Sequence, residues 1–203
     1  MHVAGAPAGM HFQAATAAHV AEREPDACIL ALPNGLADAW VGEIAARRPQ
    51  TVIFDVSADY RFDPGWHYGL PELRPTPPGT TRIANPGCYA TAMQLAIAPV
   101  AGIIASPPHC FGVSGYSGAG TTPSPRNDPA RLQDNLMPYQ PIGHLHEREV
   151  SFQLPTAVRF TPHVAAFFRG ISMTVGMELD SSYELAAIVQ KYEEAYAGAP
   201  LLR

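Results

Sequence analysis

The stretch Asn85-Pro86-Gly87-Cys88-Tyr89-Ala90-Thr91 sets a thiol immediately behind a proline-glycine turn. A helical pattern follows, with Met93, Leu95, Ile97, Ala98 and Val100 as its apolar positions and Pro99 where the helix should stop. A thiol in the first turn of a helix meets backbone N–H groups that have no intrahelical partner, and the positive end of the macrodipole. Both favour the thiolate, which is the nucleophilic form. Cys88 therefore reads as a nucleophile for covalent catalysis. Cys28 and Cys110 lie inside apolar runs and read as inert core thiols.

The elements that must hold this thiol are those of an α/β protein. Residues 26–32 form a short apolar run ending at Pro33-Asn34-Gly35, which reads as a buried strand and turn. Residues 38–47 have helical spacing, and residues 51–56 are a second, β-branched strand. Strand, helix and strand at this spacing make a βαβ unit with a parallel sheet, whose ligands sit at the carboxyl ends of its strands. Residues 57–82, rich in proline and glycine, read as a loop, and Ile83-Ala84 as a short strand feeding the Cys88 turn. Further strands are expected at 110–114, 149–154, 158–161 and 170–179, with a proline-bearing excursion over 121–143. A last helix is expected over 181–196, capped by Ser181 or Ser182, with Leu185, Ile188, Val189 and Tyr192 on one face.

Composition narrows the function. The chain has 203 residues, 47% of them hydrophobic and 15% charged, which fits one or two globular domains. A net charge of −5 argues against a nucleic-acid surface. No run reaches the roughly 18 apolar residues of a membrane span, and the first residues lack the pattern of a signal peptide. Three widely spaced cysteines form neither a disulfide framework nor a metal pattern, so a reducing compartment is expected.

Seven motifs occur in one order: Ala31-Leu32-Pro33-Asn34-Gly35, Ser57-Ala58-Asp59-Tyr60-Arg61, Tyr68-Gly69-Leu70-Pro71-Glu72-Leu73, the Cys88 turn, Ser114-Gly115-Tyr116-Ser117-Gly118-Ala119-Gly120, His144-Leu145-His146-Glu147-Arg148-Glu149, and Phe160-Thr161-Pro162-His163 followed by Arg169-Gly170. With these, the chain resembles the N-acetyl-gamma-glutamyl-phosphate reductase family of arginine biosynthesis, relatives of aspartate-semialdehyde dehydrogenase. The resemblance implies a partial doubly wound, Rossmann-like NADP-binding domain over residues 1–87. It implies an incomplete α+β catalytic and oligomerisation domain over 88–203. The family's glycine-rich dinucleotide loop is matched only weakly, by Gly5-Ala6-Pro7-Ala8-Gly9, and the family continues beyond Arg203. The chain is thus expected to be a fragment or a shortened member.

The implied reaction is NADP-dependent reduction of N-acetyl-L-glutamyl 5-phosphate to the semialdehyde, through a thioester on Cys88. An aspartyl or aminoadipyl phosphate substrate, and an inactive truncated module, stay open beside it. The histidine motif implies that His146 or His144 carries protons for the thiol, with His146 preferred. Two residues apart in an extended segment, they would point to opposite sides. His-x-His as a metal site has no nearby Cys or third His to support it. Asn85 and the Cys88 N–H are candidates for the oxyanion, though Asn85 could simply shape the turn. Arg61 is placed on the transferred phosphate, because a guanidinium grips phosphate with paired hydrogen bonds, and Asp59 is expected to fix its loop. Arg169 is a candidate for the substrate carboxylate, His163 for substrate or fold, and Glu149 for substrate, for orienting a histidine, or as a solvated strand charge. Ser117, Gly118, Ala119 and Gly120 are implied to lie against the nicotinamide, and Pro33 and Asn34 to line the cofactor cleft. The family also implies a homo-oligomer, tetramer or dimer, in the cytoplasm or alternatively in a mitochondrial matrix.

Overall fold

A computed structural model of the chain describes residues 13–202, so the Gly5 to Gly9 stretch lies outside the described residues. The chain divides into two compact units. The first runs to Gly69 and resumes over Thr76–Asn85, and the second takes Leu70–Pro75 and the chain from Pro86 onward.

The first unit is built on a parallel sheet. After a short α1 (Ala17–Ala21) come β1 (Ala27–Leu30), α2 (Ala37–Arg47), β2 (Val52–Asp55), β3 (His67–Tyr68) and β4 (Arg82–Ala84). The strand order is β1-β2-β4-β3, with every pair parallel. The βαβ unit expected from the sequence is β1, α2 and β2. Ala21, Leu30, Ala37, Ile44 and Ile53 form its core, packed by Trp40, Tyr60 and Trp66. Burying Ile53 and Ile44 contributes about 1.5–3 kcal/mol each. The run at 26–32 is less buried than expected. Only Leu30 of β1 is fully buried, with Cys28 packed partly on the core, while Ile29 is 74% exposed on the same sheet face as its register partner Phe54 of the central β2. β3 went unforeseen, since two residues carry no period.

The second unit starts with α3 (Cys88–Ile97), which tightens into a 3-10 turn over Ala98–Ile103 at Pro99. Then come β5 (His109–Gly115), α4 (Pro129–Leu132), β6 (Leu136–Pro138), α5 (Leu145–Gln153), β7 (Arg159–Ala165), β8 (Ile171–Gly176) and α6 (Leu185–Ala195). The sheet order is β6-β7-β5-β8, with β5 and β7 parallel and the outer pairs antiparallel. The strands alternate, burying Cys110, Gly112 and Ser114 of β5 and Phe160, Pro162 and Val164 of β7. Tyr89, Ala90, Met93 and Ile97 of α3 and Val150 of α5 complete this core. Leu70–Pro75 joins the same unit through Arg74, whose guanidinium donates to the buried Gln94 amide oxygen (3.5 Å) and to the Gln153 carbonyl.

Two expectations are corrected here. Residues 149–154 are not a strand but the second half of α5 and its C-cap. The alternation of Val150, Phe152 and Leu154 imitates a strand, whereas Glu149 and Val150 form the buried face of the helix. The last helix begins at Leu185 with Glu184 as N-cap, not at Ser181 or Ser182. The Asp180 carboxylate accepts from the Ser182 N–H (2.9 Å), which closes a turn there in place of a cap. α6 buries no residue fully, and its Tyr192 and Tyr196 hydroxyls donate to the Ala96 and Leu95 carbonyls of α3.

Two glycines make opposite predictions. A Cβ on Gly112 would stand 2.5 Å from Tyr89 Cε1 and 2.9 Å from Phe160 Cε2. Gly112→Ala should therefore cost about 1–3 kcal/mol in urea unfolding. Gly42, inside α2, has open space around its would-be Cβ, so Gly42→Ala should gain about 0.5–1 kcal/mol.

Candidate active site

Cys88 is the first residue of α3, and its side chain is exposed. Gly87, the N-cap, is extended at φ −67°, ψ 145° and has no side chain to cap the helix. Its N–H instead donates to Glu149 Oε1 of α5 (2.8 Å), and its carbonyl accepts from the Thr91 N–H (2.8 Å) and hydroxyl (3.0 Å). The first turn of α3 holds no acidic residue to offset the macrodipole. Tyr89 is buried next to the thiol, its ring against Phe160 (4.9 Å between centroids) and its hydroxyl donating to the His163 carbonyl (2.7 Å).

The two histidines are not spread along a strand. His144 is the N-cap of α5 and His146 lies in its first turn, with their rings 4.9 Å apart. Each ring lies near Tyr89, at 6.4 and 6.0 Å. His144 Nδ1 accepts from the His146 N–H (3.1 Å), so in neutral His144 the proton sits on Nε2. His144 is only 8% exposed, and burial, assisted by Arg126, holds its pKa below the usual imidazole value. It therefore stays neutral at pH 7.

Tyr139 also belongs to this cluster, and the sequence reading missed it. Its ring is 5.8 Å from that of His144, with the Arg126 guanidinium 5.0 Å from its centroid. Burial, then the neighbouring Tyr89 and Cys88, pushes its phenol pKa up. Tyr139 lies in the proline-bearing excursion, where no periodicity marks a functional position.

The other expected residues of this unit divide. Ser117, Gly118 and Ala119 lie in a 3-10 turn over Tyr116–Ala119, closed by Gly120 at φ +81°, where glycine is favoured. Gly115 opens this turn with a Cβ-free approach to the Phe168 and Arg169 backbone, where an added Cβ would meet atoms at 2.7 Å. Ser117 and Gly120 line a cleft of about 820 Å³ together with Thr121, Asn127, Arg131 and Phe168. Arg169 is exposed in the β7–β8 loop, 5.0 Å from the Phe168 ring. His163 does not join the Cys88 cluster. It alternates with the buried Pro162 and Val164, so its side chain lies on the opposite face of the sheet, against Phe111 (4.6 Å). Glu149 is 0% exposed on a helix, so it is not a solvated strand charge.

In the first unit the expected residues gather where the strands end. Asn34, in the turn after β1 with Pro33, accepts from the Ala58 N–H (3.0 Å). The Asp59 carboxylate accepts from the Gly35 (2.7 Å) and Ala37 (3.1 Å) N–H groups, capping α2 from a distant loop. Arg61 is 8% exposed, and its guanidinium donates to the carbonyls of Asn85 (2.9 Å) and Val56 (3.1 Å). Asn85 is exposed, and its N–H donates to the Asp55 carbonyl (2.8 Å). Among the described residues no group of three or more His, Cys, Asp or Glu side chains could hold a metal ion.

Two family models match the chain: the semialdehyde dehydrogenase dimerisation domain over residues 88–203 and the semialdehyde dehydrogenase NAD binding domain over residues 5–77. The N-acetyl-gamma-glutamyl-phosphate reductase of Xanthomonas campestris pv. campestris (strain 8004) is 56% identical over 202 residues, which is 99% of this chain and 64% of that protein. That of Stenotrophomonas maltophilia (strain R551-3) is 58% identical over 184 residues, 90% of this chain and 58% of that protein. The chain thus spans less than two thirds of these relatives. Among solved structures, aspartate semialdehyde dehydrogenase from Francisella tularensis matches with a TM-score of 0.68 at 14% identity, over 89% of this chain and 65% of that one. The Vibrio cholerae aspartate semialdehyde dehydrogenase II complexed with ASA matches with 0.65 at 16%, over 83% and 60%. At such identities these two share the fold.

The three thiols should separate by reactivity. Burial, with Glu147 adding, pushes the Cys110 thiol up to about 12, and burial raises Cys28 above its ordinary value. Iodoacetamide at pH 7, read by mass spectrometry, should label Cys88 first, Cys28 more slowly and Cys110 only after unfolding. Equal labelling of all three would contradict this placement.

Proposed function

The chain belongs to the semialdehyde dehydrogenase family, and from that premise we propose that it carries out the NADP-dependent reductive dephosphorylation of N-acetyl-L-glutamyl 5-phosphate to N-acetyl-L-glutamate 5-semialdehyde, a step of arginine biosynthesis. The observation that carries this reading is an exposed cysteine at the open start of α3, whose neighbour Tyr89 packs near the rings of His144 and His146, in a chain 56% identical to a reductase of that name. That identity, against 14–16% for the aspartate enzymes of like fold, favours the glutamyl over the aspartyl substrate.

The Cys88 thiolate attacks the acyl carbon, the phosphate leaves, and a thioester remains on the sulfur. When bound, NADPH would supply the hydride for reduction of this thioester. Collapse of the resulting hemithioacetal frees the semialdehyde and restores the thiol. The oxyanion donor in this reading is the Cys88 N–H, which lies in the first turn of α3. His146 is the proton carrier. In His144 one ring nitrogen already accepts the backbone N–H of His146 and the other holds the proton, so no lone pair remains for a thiol proton. His144 then serves as cap and wall, and Tyr139 as a neighbouring donor.

The residues present fit a dinucleotide. In the first unit, the polar turns at the carboxyl ends of parallel strands, with Pro33 and Asn34, are where a doubly wound sheet holds one. In the second, the Ser117 to Gly120 turn carries bare backbone beside its cleft, with open space at Gly120. Arg61 remains the candidate for the transferred phosphate, and two of its hydrogen bonds, to the carbonyls of Asn85 and Val56, brace it at the ends of β2 and β4. Arg169 remains the candidate for the substrate carboxylate. The match to a dimerisation domain and the exposed Phe111 and Leu136 on the sheet face away from Tyr89 support a homo-oligomer. The bacterial relatives favour the cytoplasm over a mitochondrial matrix.

The acylation half can be tested without the cofactor. Mixed with N-acetyl-glutamyl phosphate alone, the protein should release phosphate and gain an N-acetylglutamyl adduct on Cys88, seen by peptide mass spectrometry. Cys88→Ser should abolish both the adduct and NADPH oxidation, because a serine hydroxyl is hardly ionised near pH 7. Turnover retained by that variant would overturn the reading, and absence of NADPH binding would overturn activity of this chain by itself.

A further inference from the structure

We propose that Glu149 is a positioning residue for the nucleophile, a trans-acting half of a helix cap that holds the turn carrying Cys88. The proposal rests on the reading of Cys88 as the nucleophile. A wholly buried carboxyl group is costly unless hydrogen-bonded. That of Glu149 reaches across 62 residues of sequence to the N–H of Gly87 (2.8 Å), the residue directly before the thiol. In an ordinary capping box the glutamate at the third helical position folds back onto the N–H of the N-cap. In α3 that position is Ala90, which has nothing to offer, and the N-cap is a glycine with no side chain. Glu149 supplies the missing acceptor from α5.

The other side of Gly87 is held from within, by the Thr91 N–H and hydroxyl on its carbonyl. Gly87 is thus fixed at both its donor and its acceptor while the side chain of the next residue stays exposed. This keeps the first turn of α3 from fraying, so that its N–H groups and dipole stay aligned on the sulfur. Full burial on α5 also takes Glu149 out of direct contact with a dissolved substrate. The titratable or charged groups on the surrounding segments are Cys88 and Tyr89 on α3, Tyr139, the N-cap His144, His146, Glu147 and Arg148 on α5, Arg74 of the Leu70–Pro75 segment, and Tyr192 and Tyr196, which bond to α3. β8, which also packs on α3, supplies none.

The test reads the pH half-point of Cys88 alkylation by iodoacetamide alongside the urea midpoint. Wild-type protein should show a half-point below the free-thiol value of about 8.5. Glu149→Gln keeps the acceptor oxygen and should hold the half-point at or below the wild-type value. Glu149→Ala removes it and should move the half-point up by about half a unit to one unit. Should the alanine variant not fold, Glu149→Asp, which withdraws the carboxyl by one methylene, should give a smaller upward shift. A folded Ala or Asp variant with a lowered urea midpoint but an unmoved half-point would mean that Glu149 only stabilises the fold, and would overturn the proposal. A wild-type half-point at the free-thiol value would instead overturn the reading of Cys88, and this proposal with it.

Discussion

The start of α3 has to satisfy two opposed demands. A helix N-terminus that activates a thiol must leave some backbone donors open, yet open donors invite fraying. The bond from the Gly87 N–H to Glu149 reconciles them, because it closes the donor just ahead of the nucleophile and leaves those of the first turn in place. Much of the second unit can be understood from this constraint. α5 has to lie alongside α3 for Glu149 to reach Gly87. β5 has to carry glycine at position 112 so that the ring of Tyr89, the residue next to the thiol, can pack against its backbone. His144, by capping α5, fixes the start of the helix that brings Glu149 into place.

The first unit solves its own backbone problem in the same manner. α2 begins behind Leu36, which offers no cap, and Asp59 reaches its first N–H groups from the loop after β2. Asn34 returns the gesture by accepting from the Ala58 N–H, and Arg61 ties the ends of β2 and β4 through their carbonyls. Loops at the carboxyl ends of a parallel sheet are rich in unmatched main-chain groups, and here distant side chains satisfy them. That leaves the turns rigid at the edge where a doubly wound sheet takes its ligand.

Local signals were legible in the sequence and distant ones were not. The Pro86-Gly87 turn with the 3.6-residue pattern behind it marks α3, and two β-branched runs around an amphipathic stretch mark the first βαβ unit. The histidine pair and Cys88 share one unit as the motifs implied. What stayed hidden depends on tertiary partners. Glu149 and Asp59 cap helices from 62 and about 22 residues away, which no local pattern encodes. The parity of His163 on β7 follows from which neighbours the sheet buries, so its side chain falls on the far face while its carbonyl serves Tyr89. α5 reads as a strand because Val150, Phe152 and Leu154 alternate, and only Glu149 packed beside Val150 reveals the helical face.

The Leu70–Pro75 segment gives the chain an interlaced architecture. Both its flanks belong to the first unit while it belongs to the second, so the backbone passes between the units at three peptide bonds. Family match and compactness therefore draw different borders. The stretch matched by one family model begins at Cys88, yet the folded body it belongs to takes in Pro86, Gly87 and the Leu70–Pro75 segment from upstream, including the arginine that hydrogen-bonds Gln94 and the end of α5. A piece excised at the family-match border would leave a buried amide without its guanidinium, on the same helix that presents the thiol.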